Sequence, residues 1–176
     1  PVASPVSMTS KLSERNALWA ARRGLYTTVA GNRRSGTNAL LEDVVVPVEV
    51  LGNTCSDLTK LFDAHGYKDS VIFGHAKDGN IHFMLNEQFR DPKQLDRYRD
   101  FTEEMVQLIL AADGSLKAEH GTGRIMAPFV SRQFGEELFD VMRQIKRLID
   151  PKGFMNPGVL LAEPDTDYVT DLKVAE

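Results

Sequence analysis

The sequence contains one cysteine and no long apolar run. The first fact excludes cysteine-based cross-links and metal sites within the chain, and the second argues against a membrane-spanning helix. Cys55 alone cannot form an intrachain disulfide, an iron–sulfur cluster or a cysteine-rich zinc site. Its spacing from Leu51, Leu58 and Phe62 is helical, so we interpret it as a core residue. Charged residues such as Glu42 interrupt the most hydrophobic stretch, which is far shorter than the about 20 apolar residues of a membrane-spanning helix.

The sequence also lacks an excess of positive charge, since its formal net charge is −4. We therefore do not expect nucleic acid as a partner. Because the apolar runs are short, we do not expect a membrane span either. A chain of 176 residues with 42% hydrophobic residues can bury the core of one domain. The start shows neither an initiator methionine nor a signal peptide, which favours a fragment of a longer protein. We expect that protein to be cytoplasmic, with peripheral contact to the inner membrane as the alternative.

Hydrophobic periodicity predicts an alternation of helices and strands. The predicted helices cover 11–30, 50–65, 91–112 and 131–149. The predicted strands cover 41–48, 71–75, 80–86 and 115–119. Asp91 and Gln94 can form a capping box at the start of the third helix. The order βαββαβ predicts an α+β fold with a ferredoxin-like antiparallel sheet, covering helices and a further helix at each end.

The same pattern predicts three segments along the chain. Residues 1–10 are expected to be a flexible start or linker, and residues 11–162 the folded domain. Residues 163–176 are expected to be a loosely held acidic tail.

Two histidines flank a predicted tight turn in residues 74–82. The dipeptide Asp78-Gly79 is favoured in two-residue hairpin turns, and counting outward from it places His75 opposite His82. Directly opposed side chains have Cβ atoms roughly 4.5–5.5 Å apart. Two imidazoles at that separation can bind one metal ion.

A carboxylate and an imidazole stand side by side at Glu119-His120, before a glycine-rich turn. Together with Glu119, the histidines His75 and His82 would give a metal site with open coordination positions, as in catalytic sites. In a ferredoxin-like sheet Glu119 would have to reach the hairpin from beyond the end of its own strand. A polar sheet face with hydrogen-bonded histidines is the alternative.

The first predicted helix carries a charge on its apolar face. Arg22 lies four residues after Leu18 and three before Leu25, both on the apolar stripe. A guanidinium there needs a partner, or it extends past the edge of the stripe to water.

Five segments, taken in order, resemble the C-terminal domain of FAD-linked oxidases. They are residues 18–25, 42–47, 74–82, 117–124 and 145–158. Within that family the set is most similar to the large D-2-hydroxyacid dehydrogenases, of the D-lactate and D-2-hydroxyglutarate types, which add iron–sulfur modules. The resemblance implies that this domain caps an FAD held by a separate FAD-binding domain of the same polypeptide, which is absent from this chain. An iron–sulfur cluster would lie elsewhere in the full-length protein.

The resemblance also implies roles for single residues. His75, His82 and Glu119 would bind a divalent metal, with zinc expected. His120 would be the general base, and Arg22 would hold the substrate carboxylate.

Further residues are matched less closely. Asn156, in the turn Asn-Pro-Gly, would lie near the flavin. Arg33 is not matched to the family: together with Arg34, in a loop between two glycines, it would supply a second contact to the substrate carboxylate, or would belong to a solvated basic loop. Tyr26, Leu41 and Met84 stand where related hydroxyglutarate enzymes have threonine, lysine and asparagine, so the identity of the hydroxyacid stays open.

Three functions follow as hypotheses. The leading one is the substrate- and metal-binding domain of an FAD-dependent D-2-hydroxyacid dehydrogenase, inactive without its flavin domain. Its expected partners are a small 2-hydroxyacid and the FAD-binding domain. A non-catalytic regulatory module that binds a metal or a small ligand is the alternative. A zinc hydrolase would use the same ligands with a bound water.

Overall fold

The computed structural model describes residues 7–174, and the chain divides into two units, the first ending at Ser35 and the second beginning at Gly36. The first unit contains helix α1 (Leu12–Gly31), close to its predicted bounds. This helix buries none of its side chains, and its Leu18 is largely exposed.

The second unit is built on an antiparallel sheet. Among the described residues its strands are β1 (Asn38–Val45), β2 (Val71–His75) and β3 (Asn80–Glu87), in the order β1–β3–β2. Its helices are α2 (Leu51–Ala64), α3 (Pro92–Ala111), the short α4 (Gly123–Met126) and α5 (Val130–Ile149), which is kinked at Gly135. The predicted α+β class is confirmed. No helix in the described part of the chain is both long and apolar enough to cross a membrane.

The predicted fourth strand is reduced to one bridge in the described residues. Ser115 and Val45 exchange two backbone hydrogen bonds, of 2.8 and 3.0 Å. Beyond Ser115 the backbone N–H groups of residues 118–120 donate to the side chain of Asp43. These donors are therefore not available to continue a strand ladder, and the chain curls around a carboxylate instead.

The register of the hairpin differs from the predicted one. A four-residue turn that ends at Gly79 replaces the two-residue turn. His75 pairs with Asn80, and His82 pairs with Phe73. The expectation that the two histidines are directly opposed is therefore wrong. They are diagonal neighbours on one face of the sheet, which long side chains can still bridge.

Gly79 closes this turn where the backbone of the loop after β1 comes very close. It has φ +69°, and a Cβ atom there would stand 1.9 Å from the carbonyl oxygen of Val46. We expect Gly79→Ala to lower the free energy of unfolding by about 2–4 kcal/mol, measured in urea. Gly66, with φ +74° and open space around it, is the control. For Gly66→Ala we expect a loss of about 1 kcal/mol, from strain alone. Equal losses of unfolding free energy in Gly79→Ala and Gly66→Ala would show that the close approach of Val46 adds nothing to the effect of the Gly79 substitution.

The main core lies between one face of the sheet and helices α2 and α3. The rings of Phe62 and Phe83 are 5.6 Å apart, and those of Phe62 and Phe101 are 5.8 Å apart. Cys55 packs at the edge of this core, as predicted. Because side chains alternate along a strand, His82 next to Phe83 points to the other face. The opposite face of the sheet therefore carries the polar groups.

The acidic tail contacts the rest of the second unit at a few of its described residues, although most of them are exposed. The expectation that it is loosely held stays a prediction. Val169 is buried, and the ring of Tyr168 lies 5.4 Å from that of Phe129. Both carboxylate oxygens of Asp167 accept hydrogen bonds of 3.1 Å from Arg99. The predicted segment boundaries at 10 and 162 stay a prediction, and residues 1–6 and 175–176 lie outside the described part.

Candidate metal centre

The side chains of His75, His82 and Glu119 meet at one point. Nε2 of His75 lies 3.1 Å from Oε1 of Glu119, and Nε2 of His82 lies 3.0 Å from the same oxygen. The two imidazole rings are 5.4 Å apart and nearly perpendicular, at 86°. Donor atoms of a tetrahedral zinc ion, bound at about 2.0–2.1 Å, lie roughly 3.3–3.4 Å from one another. The contacts of the two histidines with Glu119 come close to this value, and the binding of one metal by all three side chains stays a prediction.

Glu119 reaches the histidines because its loop is bound to β1. Oδ2 of Asp43 accepts the backbone N–H groups of Ala118, Glu119 and His120 at 3.1, 2.7 and 2.8 Å. Asp43 stands directly opposite His82 in the β1–β3 ladder. The loop that carries Glu119 thus lies beside the central strand, and no fourth strand is needed to bring it there.

Asp43 is a residue of this centre that the sequence prediction missed. Its side chain is fully buried, and its Oδ1 accepts a 2.7 Å hydrogen bond from Nδ2 of Asn80. The same oxygen lies 3.2 Å from Nδ1 of His82, although that nitrogen is not aligned for a hydrogen bond. The available signal was the pair Glu42-Asp43 within a β-branched strand. One of two adjacent carboxylates in a strand must point to each face.

The electrostatics of the buried part suit metal binding. Burial lowers the pKa of the His82 imidazole below its ordinary value, although the charge of Asp43 opposes the shift. Burial alone would raise the pKa of Asp43, but hydrogen bonds from the backbone of His120 and Glu119 and from Asn80 outweigh it and hold the pKa below its usual range. These shifts favour the neutral form of His82 and the charged form of Asp43, and a metal-binding histidine must be neutral.

His120 lies against the same cluster from the exposed side. Its ring stacks on that of His82, with centroids 4.7 Å apart and planes 3° from parallel. Its Nε2 is 3.9 Å from Oε1 of Glu119. The side chains of His75, Glu119 and His120 are about half exposed, at 49%, 50% and 43%, while that of His82 is buried. A small molecule can therefore approach the cluster from the side of His120.

A second set of donors overlaps the first. Asp43, His82, Glu119 and His120 offer atoms that all lie within 4.8 Å of one another, and this group does not include His75. The oxygens of Asp43 already accept four N–H groups, which leaves them little capacity for a cation. Nε2 of His75 is closer than that of His120 to the shared Glu119 oxygen. The predicted assignment of His75, His82 and Glu119 as the ligands stays a prediction.

Comparison with known proteins connects this geometry to a family. The family model described as "FAD linked oxidases, C-terminal domain" matches residues 1–160. The chain belongs to this family. The resemblance found in the sequence is therefore confirmed, and the family links this FAD-linked oxidase domain to FAD.

Relatives of this FAD-linked oxidase domain include three differently named oxidoreductases. It is 30% identical to the glycolate oxidase subunit GlcD of Bacillus subtilis, over 85% of the chain and 31% of that protein. It is 31% identical to D-lactate dehydrogenase [cytochrome] 1 of Saccharomyces cerevisiae, over 88% and 27%. It is 33% identical to D-2-hydroxyglutarate dehydrogenase of Pantoea ananatis, over 72% and 12%. The chain spans less than a third of the length of each of these relatives.

The two arginines predicted to bind substrate lie in the first unit of this FAD-linked oxidase domain. Arg22 is on α1 and half-buried, and Arg33 follows the helix in an exposed loop. Their contact with a substrate carboxylate stays a prediction.

Asn156, predicted to lie near the flavin, adopts a left-handed conformation with φ +45° in an exposed turn. It lines an apolar cavity of about 520 Å³ together with Ile145 and Ile149 of α5. The sequence has no Gly-x-Gly-x-x-Gly segment for a dinucleotide phosphate. The flavin contact of Asn156 stays a prediction.

Arg124 links this turn to the motif that contains Glu119 and His120, a link that the sequence prediction missed. Its Nη1 donates a 2.9 Å hydrogen bond to the carbonyl oxygen of Pro157. Two motifs that are distant in sequence are therefore joined in the structure.

Asp150 holds the loop that leads to Asn156. Its carboxylate accepts the backbone N–H groups of Phe154 and Met155 at 3.0 and 2.8 Å, and Nζ of Lys146 at 2.6 Å. The hydrogen bond from Lys146 and those from the backbone lower the pKa of Asp150 to about 2. Its contribution to stability is therefore complete above its ordinary pKa of 3.8 and is lost as the pH falls toward 2.

We expect Asp150→Asn to lower the urea unfolding midpoint at pH 7 and to have little effect near pH 2, where the native carboxylate also binds its proton. The exposed Asp165, changed to asparagine, is the control and should change the midpoint little at either pH. An effect of Asp150→Asn that is equal at the two pH values would contradict this role of the charged carboxylate.

Proposed function

We propose that this chain is the substrate- and metal-binding part of an FAD-dependent dehydrogenase that oxidises a D-2-hydroxyacid to the 2-oxoacid. The observation that supports it most is the convergence of His75, His82 and Glu119 beside the half-exposed His120. The names of the relatives support the substrate class, since glycolate, lactate and 2-hydroxyglutarate are all 2-hydroxyacids.

His75, His82 and Glu119 would hold the metal ion, for which we propose zinc. Two neutral imidazoles and one carboxylate leave a bound divalent cation with net positive charge. When bound, such an ion attracts the carboxylate and hydroxyl oxygens of the substrate and lowers the pKa of the hydroxyl group.

His120 would act as the general base. Its ring is held parallel to that of His82, and its exposed side is open to a ligand at the cluster. From that position it would take the proton of the substrate hydroxyl. Another part of the full-length protein would mainly bind FAD, which would supply the redox chemistry as the acceptor of the C2 hydride. Arg22 and Arg33 are proposed to bind the substrate carboxylate.

The open side of the cluster favours catalysis over a purely structural metal. Structural zinc sites are closed by four protein ligands, whereas catalytic sites keep a position for water or substrate. Here His75 and Glu119 are half exposed, so one side of the cluster is open to solvent. An iron–sulfur cluster elsewhere in the full-length protein stays a prediction.

The test is flavin reduction in the full-length protein under anaerobic conditions. Glycolate and the D and L forms of lactate and 2-hydroxyglutarate are mixed with the enzyme, and the visible absorbance of oxidised FAD is followed. We expect at least one of the D-2-hydroxyacids to bleach the flavin and to yield its 2-oxoacid, with the L form much slower. An absence of bleaching by all of them would overturn the proposal, and metal-dependent ester hydrolysis would favour a hydrolase instead.

A further inference from the structure

The carboxylate of Asp43 accepts more hydrogen bonds than a structural role in a strand requires. Its side chain is fully buried, and four N–H groups from four residues donate to its two oxygens. Burying a carboxylate is costly even when it is fully hydrogen-bonded, and an apolar side chain of similar size often gives equal or greater stability. The arrangement therefore points to a role other than stability.

One oxygen of Asp43 determines where Glu119 lies. Three consecutive N–H groups, from Ala118 to His120, point at Oδ2, so that the backbone forms a small anion-binding concavity around it. Consecutive N–H groups of an extended strand point in alternating directions and cannot share one acceptor. The curled backbone is thus a consequence of the carboxylate, and it brings the Glu119 side chain to both histidines.

The other oxygen of Asp43 faces His82. Nδ1 of His82 is buried, and Oδ1 of Asp43 lies 3.2 Å from it, a contact between the charge and the ring that is not aligned as a hydrogen bond. Nδ2 of Asn80 holds this oxygen in place at 2.7 Å and also donates to the carbonyl of Val44 at 3.1 Å. An anion at Nδ1 favours the tautomer that carries a proton there, which leaves the lone pair of Nε2 directed at Glu119 and available for a cation.

We propose that Asp43 is the positioning residue of the metal centre, which fixes the Glu119 loop with one oxygen and the His82 ring with the other and so sets the affinity for the metal. This inference rests on the proposed metal site. It assigns no contact between Asp43 and the metal itself. It predicts that Asp43 acts on two of the three ligands at once.

The test measures metal affinity in the full-length protein, stripped of metal and then titrated with Co²⁺ or with Zn²⁺ against a chelator. Asp43→Asn keeps the size of the side chain but places an amide N–H₂ group where N–H donors point. We expect it to weaken Co²⁺ and Zn²⁺ binding by about 10–100-fold, as is typical for residues that orient metal ligands. The visible absorption spectrum of the bound Co²⁺ should change as well, and the FAD content should not.

Glu42→Gln is the matched control. Glu42 is the neighbouring carboxylate, also buried, and it pairs with Lys117 at 2.7 Å on the other face of the sheet. We expect this variant to lose stability but to keep the affinity and the Co²⁺ spectrum of the wild type. Asn80→Ala removes one partner of Asp43 and should weaken Co²⁺ binding by less than about 10-fold. If Asp43→Asn does not fold, Asn80→Ala becomes the deciding variant. An affinity of Asn80→Ala for Co²⁺ equal to that of the wild type would then overturn the inference.

The outcomes separate this inference from the proposed function. A wild-type protein that binds neither ion with the three ligands would contradict the metal site itself. Wild-type binding that is equally tight in Asp43→Asn, with the same Co²⁺ spectrum, would contradict only the positioning role. An equal loss in Glu42→Gln, whose partner Lys117 directly precedes the Glu119 loop, would show that the affinity does not depend specifically on Asp43, and would also overturn the inference.

Discussion

Replacing His82 by alanine in the full-length protein is expected to remove almost all of its bound divalent metal while leaving its FAD content unchanged. His82 is the buried donor, and its Nε2 is 3.0 Å from the Glu119 oxygen. Changes in residues that only orient ligands typically cost 10–100-fold in affinity, so the loss of a ligand should exceed about 100-fold. The measurement is the metal content by elemental analysis, followed by titration with zinc in competition with a chelator.

His65 provides the matched control for this experiment. It lies at the end of α2, where its Nε2 is 3.2 Å from a carboxylate oxygen of Glu104. His65→Ala should therefore keep a full complement of metal. His75→Ala should behave like His82→Ala, because its Nε2 contacts the same Glu119 oxygen. Retention of metal by His82→Ala, or its loss from His65→Ala, would contradict the assignment of the ligands.

Replacing His120 by glutamine should slow flavin reduction by the hydroxyacid about 10²–10⁴-fold, which is the usual contribution of a general base. Metal and FAD content should stay at the wild-type level, because Nε2 of His120 is 3.9 Å from Oε1 of Glu119 and outside the closest donor set. The measurement is the rate of flavin bleaching in a single anaerobic turnover, with the metal content determined on the same sample.

The two readouts distinguish the possible roles of His120. An undiminished rate would exclude His120 as the base. Loss of metal together with activity would instead place His120 among the ligands, in the second donor set that includes Asp43 and Glu119. Slow reduction with metal retained is the result that agrees with the proposed function.

Local sequence signals predicted the elements around the site well, because their causes lie within a few residues. The start of α3 is an example, since Asp91 and Gln94 form the expected capping box within one helical turn. The alternation of Phe83 and His82 likewise separates the core face from the polar face within one strand. Periodicity is a property of the segment itself and can be read from it.

The parts of the site that the sequence did not predict depend on contacts between distant segments. The four-residue turn ends at Gly79, where the backbone approaches Val46 more than thirty residues earlier, and this sets the register of the two histidines. The Glu119 loop curls around Asp43, which is 76 positions away. Neither distance is visible in local periodicity. The one local signal was a carboxylate within a β-branched strand, because a carboxylate that is buried there needs N–H donors from another segment.

Two loops that carry predicted site residues are each fixed by one aspartate, whose carboxylate accepts hydrogen bonds from the backbone of the loop. Asp43 accepts backbone N–H groups of the loop with Glu119 and His120, and Asp150 accepts those of the loop that leads to Asn156. In each case a short carboxylate satisfies N–H groups that regular secondary structure would otherwise pair. Irregular backbone at the proposed site is thereby kept in a defined conformation.

The most direct test of the central claim compares flavin reduction with and without metal. The full-length protein is stripped with a chelator, its FAD content is verified, and it is mixed anaerobically with the hydroxyacid that bleaches the untreated enzyme. The account predicts that the stripped protein keeps its FAD but is not reduced, and that zinc restores reduction in the wild type but not in His82→Ala. Reduction at an unchanged rate without metal would contradict it.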